Sequence, residues 1–168
     1  MASNGSVGSV GVAPAASIVA IKVLHGGRFT SLSQILDGLN YIIENPQLNV
    51  KVINMSLSTD PPLFDGICDF VLSFTSAMTA AIETLRSNGV ITFASAGNDG
   101  ANQMPIPACL SNVVSVGASN DFDIAASFSN SNSFTDLFAP GVNIVSSHLS
   151  GTISSLSGTS MSSPHAGK

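Results

Sequence analysis

The sequence has no tryptophan, one tyrosine and two cysteines, and only 9% of its residues are charged, with five Lys and Arg between them. So few cations exclude the basic face that a nucleic-acid binder needs to displace counterions from phosphates, and the net charge of -5 works in the same direction. Two cysteines and three scattered histidines give no zinc pattern, and no metal or cofactor is expected. No apolar run reaches membrane-spanning length, because Gly, Ser, Asn or Pro interrupts each one. The opening Met1-Ala2-Ser3-Asn4-Gly5 is small and polar and does not read as a signal peptide, so the expectation is either an export signal lost with an N-terminal piece or none.

What is present is apolar and compact. Hydrophobic residues make up 44% of 168, with 15 glycines, a composition that suits one soluble domain built on a buried sheet. Residues 1–13 read as a loop. The β-branched run Ser17-Ile18-Val19-Ala20-Ile21-Lys22-Val23-Leu24, bounded by Pro14 and Gly26-Gly27, predicts a buried strand. Ile35, Leu36, Leu39, Ile42 and Ile43 fall at helical spacing and predict an amphipathic helix from about 33 to 44, capped by Ser31 or Ser33.

The pattern then repeats. A second strand is expected over 50–57, and a longer helix marked by Phe70, Val71, Phe74, Met78, Ala81, Ile82 and Leu85 is closed by Asn88-Gly89. Further strands are expected over 90–96, 113–117 and, shorter, 143–146. Strand, helix, strand, helix, strand implies an α/β fold with a mostly parallel sheet, whose ligands gather at the carboxyl ends of the strands.

One stretch near the end organises the chemistry: Ser157-Gly158-Thr159-Ser160-Met161-Ser162-Ser163-Pro164-His165-Ala166-Gly167. Small residues crowd one hydroxyl, and a proline follows where a first helical turn can still accept it. This reads as a tight turn that delivers Ser160 to a helix N-terminus, where free N–H groups and the helix dipole can hold a developing oxyanion. A bare Gly-x-Ser would be no more than a helix cap. The run Gly158 to His165, however, resembles the nucleophile signature of the subtilisin-like serine peptidases, the subtilases. Other segments resemble the family in family order: Gly11-Val12-Ala13-Pro14, Lys22-Val23-Leu24, Val52 to Ser58, Ala94-Ser95-Ala96-Gly97-Asn98, Ser115-Val116-Gly117-Ala118 and Phe138-Ala139-Pro140-Gly141-Val142.

The resemblance implies a three-layer αβα, subtilisin-like fold and a serine endopeptidase that works by acyl transfer on polypeptides, with Ser160 as nucleophile. Asn98, which alone would pass for a turn residue, takes the part of the family's oxyanion amide, beside the Ser160 N–H. Ser56-Leu57-Ser58 and Ala96-Gly97-Asn98 correspond to walls of the substrate pocket, with Ser58 standing where the family usually has glycine. Residues 26–31 occupy the place where the family pairs substrate as an added strand, and a flexible loop is the alternative there.

A base and its orienting carboxylate are not found. His165 lies five residues after Ser160, about 7.5 Å along the helix and well around it, out of proton-transfer reach. His148 sits in a hairpin-like polar stretch and reads as a surface side chain. His25 ends the first expected strand but lacks the family's His-Gly-Thr-His pattern, and the family's Asp-Ser-Gly or Asp-Thr-Gly turn is absent; Asp65-Gly66 and Asp99-Gly100 read as ordinary turns. By the resemblance both partners would precede Met1, and Lys168 falls inside the Ser160 helix. The 168 residues are thus expected to form a single domain incomplete at both ends, with little or no peptidase activity by themselves. A non-catalytic relative that keeps the sheet for peptide binding is the alternative.

Some bacterial subtilases carry a cysteine pair like Cys68 and Cys109, which implies a disulfide and an oxidising compartment, with two buried thiols as the alternative. An extracellular, monomeric protein is the corresponding expectation. The family's calcium loop would place its side-chain ligand at Gly5, so no calcium site is expected. Asn4-Gly5-Ser6 fits a glycosylation acceptor, and Asn54-Met55-Ser56 fits one within an expected buried strand.

Overall fold

The computed structural model describes residues 10–24, 31–59 and 61–167. His25, Gly5 and most of 26–31 therefore lie outside the described residues. Among the described residues, three α-helices and six strands follow one another as α1 (Leu32–Glu44), β1 (Val52–Met55), α2 (Ser73–Ser87), β2 (Ile91–Ser95), β3 (Val113–Ser119), β4 (Leu137–Pro140), β5 (Ile144–Ser147), β6 (Ile153–Leu156) and α3 (Thr159–Ala166). Strands β1 to β4 form one parallel sheet in sequence order. Side chains alternate across it. Ile53, Met55 and Ala94 join α1 and α2 in the larger core, with Met78, Ile82 and Leu85 almost wholly buried. Phe93, Val116 and Ala139 pack with Ala166 of α3 on the opposite face. Helices on both faces of a parallel sheet make the expected three-layer α/β arrangement.

Helix α1 starts where its cap suggests. Gln34 turns back so that its Oε1 accepts the Ser31 N–H at 3.2 Å, a capping box. Helix α2 starts later than the apolar spacing predicts, because the Thr75 hydroxyl accepts the Leu72 N–H at 3.0 Å and donates to the Leu72 carbonyl at 2.8 Å, setting the first turn at Ser73. Phe70 and Val71 stay outside the helix, 78% and 58% exposed. Just upstream, Cys68 is bonded to Cys109 with Cα atoms 5.4 Å apart, and both are buried.

Three strand expectations need correction. Residues 17–24 form no strand. A cavity of about 610 Å³ separates this segment from β1, so it has no ladder to join, and Ile21 and Val23 rest instead on α1 at Gly38, where an added Cβ would lie 2.9 Å from Val23 Cγ1. As a result β1 is a sheet edge, and Val52 and Asn54 are exposed where a buried strand was expected. The segment 144–147 does form a strand, but it pairs antiparallel with β6 in a separate hairpin. Strand β4, unanticipated, closes the other edge of the main sheet and ends in Pro140, whose missing N–H an edge can tolerate.

Candidate active site

The carboxyl ends of β1 and β2 and the start of α3 meet on one rim. Gly158 caps α3 with φ 155° and ψ 158°, a conformation open to glycine, and its N–H donates to the Gly141 carbonyl at 2.8 Å just past β4. That anchor sets Thr159 and Ser160 as the first two helical residues. The Ser160 N–H thus has no acceptor within its own helix and points out of the N-terminus. Ser160 is half-buried, and its carbonyl accepts the Ser56 hydroxyl at 2.8 Å. Asn54 supports this tie: its Nδ2 donates to Ser56 Oγ at 2.9 Å and its Oδ1 accepts Ser163 Oγ at 2.7 Å. The end of β1, with Ser56, Leu57 and Ser58 following it, is pinned to the helix that carries Ser160.

The end of β2 is pinned to the same helix by Thr159, whose side chain is wholly buried. The Thr159 hydroxyl accepts the Gly97 N–H at 3.2 Å and donates to Asn98 Oδ1 at 3.0 Å, while the Thr159 N–H donates to the same Oδ1 at 2.8 Å. With its oxygen so held, the Asn98 carboxamide turns its NH₂ group away from Thr159 on an exposed side chain. Asn98 and Thr159, the residue before Ser160, are thereby brought together. Ala96 and Gly97 are buried beneath them, and Gly97 has φ 103°. Thr159 had no assigned part in the sequence reading, although its place between Gly158 and Ser160 is the signal that could have found it.

The histidines do not complete the site among the described residues. His165 Nδ1 lies 2.8 Å from the Met161 carbonyl of its own helix, which occupies that ring nitrogen. His148 is exposed, as expected, yet it lines the same cavity of about 260 Å³ as Ser160, together with Met161 and His165. No hydrogen bond joins either histidine to the Ser160 hydroxyl among the described residues. Nor do these residues hold a group of three or more His, Cys, Asp or Glu able to bind a metal ion.

The chain is similar to known proteins over most of its length. The chain is 36% identical over 162 residues to Subtilisin Savinase of Lederbergia lenta, covering 96% of this chain and 55% of that protein. It is 38% identical over 158 residues to Subtilisin-like protease 2 of Pseudogymnoascus destructans, covering 92% of this chain and 36% of that protein. Among solved structures, a cold adapted subtilisin-like serine proteinase aligns with a TM-score of 0.69 and 32% identity over 87% of this chain and 49% of that one. The prenylagaramide maturation protease PagA aligns with a TM-score of 0.73 and 26% identity, covering 86% and 50%. The chain thus spans about half the length, or less, of these relatives. With residues 1–168 all matching the family's sequence pattern, the chain belongs to the Subtilase family of peptidases.

Proposed function

We propose that this chain carries the nucleophile and oxyanion half of a serine endopeptidase. Ser160 Oγ attacks the carbonyl carbon of a peptide bond, and the negative charge gathers on the carbonyl oxygen. Asn98 Nδ2 and the Ser160 N–H donate to that oxygen, and the amine leaves with a proton, giving an acyl-enzyme that water hydrolyses. Ser56, Leu57, Ser58, Ala96 and Gly97 form the walls beside the residue that precedes the scissile bond. The observation that carries this reading is the double grip of Thr159 on Asn98 Oδ1, which fixes the carboxamide against the residue preceding Ser160 and turns its NH₂ group away from Thr159. A polypeptide substrate, an exported location and a single-copy protein belong to the same proposal, and the buried Cys68–Cys109 bond supports an oxidising compartment.

The base and its carboxylate come, in this proposal, from polypeptide outside residues 1–168. A fluorophosphonate probe is expected to label Ser160 in a longer form that carries a His-Gly-Thr-His segment and an Asp-x-Gly turn, and not in the 168-residue chain. Efficient labelling of the shorter chain would place the base within it, with His25 and then His148 the residues to substitute. Absence of both segments from the coding sequence upstream of Met1 would favour a non-catalytic peptide-binding relative. In the longer form Asn98→Leu should lower kcat about 100- to 1000-fold with KM little changed, a range whose reference case is subtilisin, a member of the same family.

A further inference from the structure

We infer that Asn130, in the loop between β3 and β4, is a positioning residue for the Asn98 carboxamide. The inference rests on the reading of Asn98 as the oxyanion donor. The Asn130 side chain is wholly buried. Its Oδ1 accepts the N–H groups of Asp99 at 2.9 Å and Ala101 at 3.0 Å, and its Nδ2 donates to Asp99 Oδ2 at 3.2 Å. Its own N–H donates to the Gly97 carbonyl at 3.0 Å. Asn130 therefore grips the residue before Asn98 and the residue after it. The Gly100 N–H, donating to the Phe128 carbonyl at 2.8 Å, and the Ser131 N–H, donating to Ala101 at 3.0 Å, continue the same docking.

The grip has a rigid footing. Ser129 Oγ donates to the Asn130 carbonyl at 3.2 Å and accepts the Ala118 N–H of β3 at 2.9 Å, which ties the clamp to the middle of the sheet. It also explains a glycine. A Cβ on Gly97 would sit 2.3 Å from Asn130 Nδ2, so the space a side chain would need at position 97 is filled by the clamp. Two grips thus meet on one short loop: Thr159 holds the Asn98 oxygen, and Asn130 holds the main chain on both sides. An oxyanion donor works only within a few tenths of an ångström of its ideal distance, so loosening the second grip should be felt in turnover more than in binding.

The test is a reciprocal exchange. Asn130→Asp keeps the acceptor for the Asp99 and Ala101 N–H groups but turns the Nδ2 donor into a second carboxylate oxygen facing Asp99. Combining it with Asp99→Asn restores one donor against one acceptor with the direction reversed and the charge conserved. In the 168-residue chain, the side-chain NH₂ pair of Asn98 is followed by ¹H–¹⁵N NMR. N130D should displace or broaden that pair, and D99N/N130D should bring it back, while the amide signals of α2 stay in place throughout. If N130D does not fold, a folded D99N/N130D with the native Asn98 signal supports the clamp, and an unfolded one overturns it. An Asn98 signal unmoved in folded N130D also overturns it.

In a longer, active form, N130D should lower kcat about 10- to 100-fold with KM changed less than about threefold, and the exchange should return kcat to within about threefold of the parent. Should the NMR pattern follow the clamp while turnover ignores it, Asn130 positions Asn98 as stated and it is the oxyanion role of Asn98 that falls.

Discussion

Two β-branched runs of similar character meet opposite fates in this molecule. Val113 to Ser119 becomes a central strand with ladders on both sides, whereas Ser17 to Leu24 stays unpaired, with Ile18 at 70% exposure and Val19 at 44%. The contrast shows that a strand is made by its neighbours: apolar alternation supplies a face to bury, and only an adjacent backbone supplies acceptors and donors. Near β3 every partner is in place, and the rim above it is dense with hydrogen bonds. Near β1 a cavity lies where a partner would be.

The contrast can be sharpened by measuring stability on each side, by urea unfolding of single variants. Replacing Cys68 and Cys109 together with Ala should have the largest effect, about 4 kcal/mol in the chain-entropy account of a loop this long. Met78→Ala, in the packed core between α2 and the sheet, should cost about 3 kcal/mol, while Val23→Ala, beside the cavity, should cost less than about 1 kcal/mol. Equal losses for these two would mean that the cavity side is packed as tightly as the other. Thr159→Val should cost about 2 kcal/mol, because it strands the buried Gly97 N–H and removes one of the two bonds to Asn98. Ile18→Ser should fall within about 0.5 kcal/mol of the parent. A large loss there would break the comparison by showing that 17–24 is held in place after all.

Local sequence carried much of the architecture. The Ser31 or Ser33 cap, the spacing of Ile35 and Leu39, and the Asn88-Gly89 stop place α1 and the end of α2, and the Ser160 motif lies at a helix N-terminus as its small residues imply. What could not be read depends on contacts distant in the chain. Residues 17–24 fail as a strand for want of a partner, and 144–147 pairs with 153–156 because the intervening turn folds it back, a choice that its own four residues do not encode. At the candidate site, Asn98 is singled out by the resemblance of Ala96-Gly97-Asn98 to the family segment, and by itself it would pass for a turn residue. Asn130 lies in the plain run Ser127-Phe128-Ser129-Asn130, and its importance comes only from where β3 leaves it, thirty-one residues from Asp99 in the chain and one hydrogen bond away in space.

Thr159 fastens the Asn98 oxygen to the residue immediately before Ser160. The Ser160 turn and the Asn98 carboxamide are therefore mounted on a common bracket. A tilt of α3 reaches the Asn98 side chain through those two bonds, while Asn130 holds the flanking main chain from the other side, so the gap between turn and carboxamide is framed from the helix and from the sheet at once.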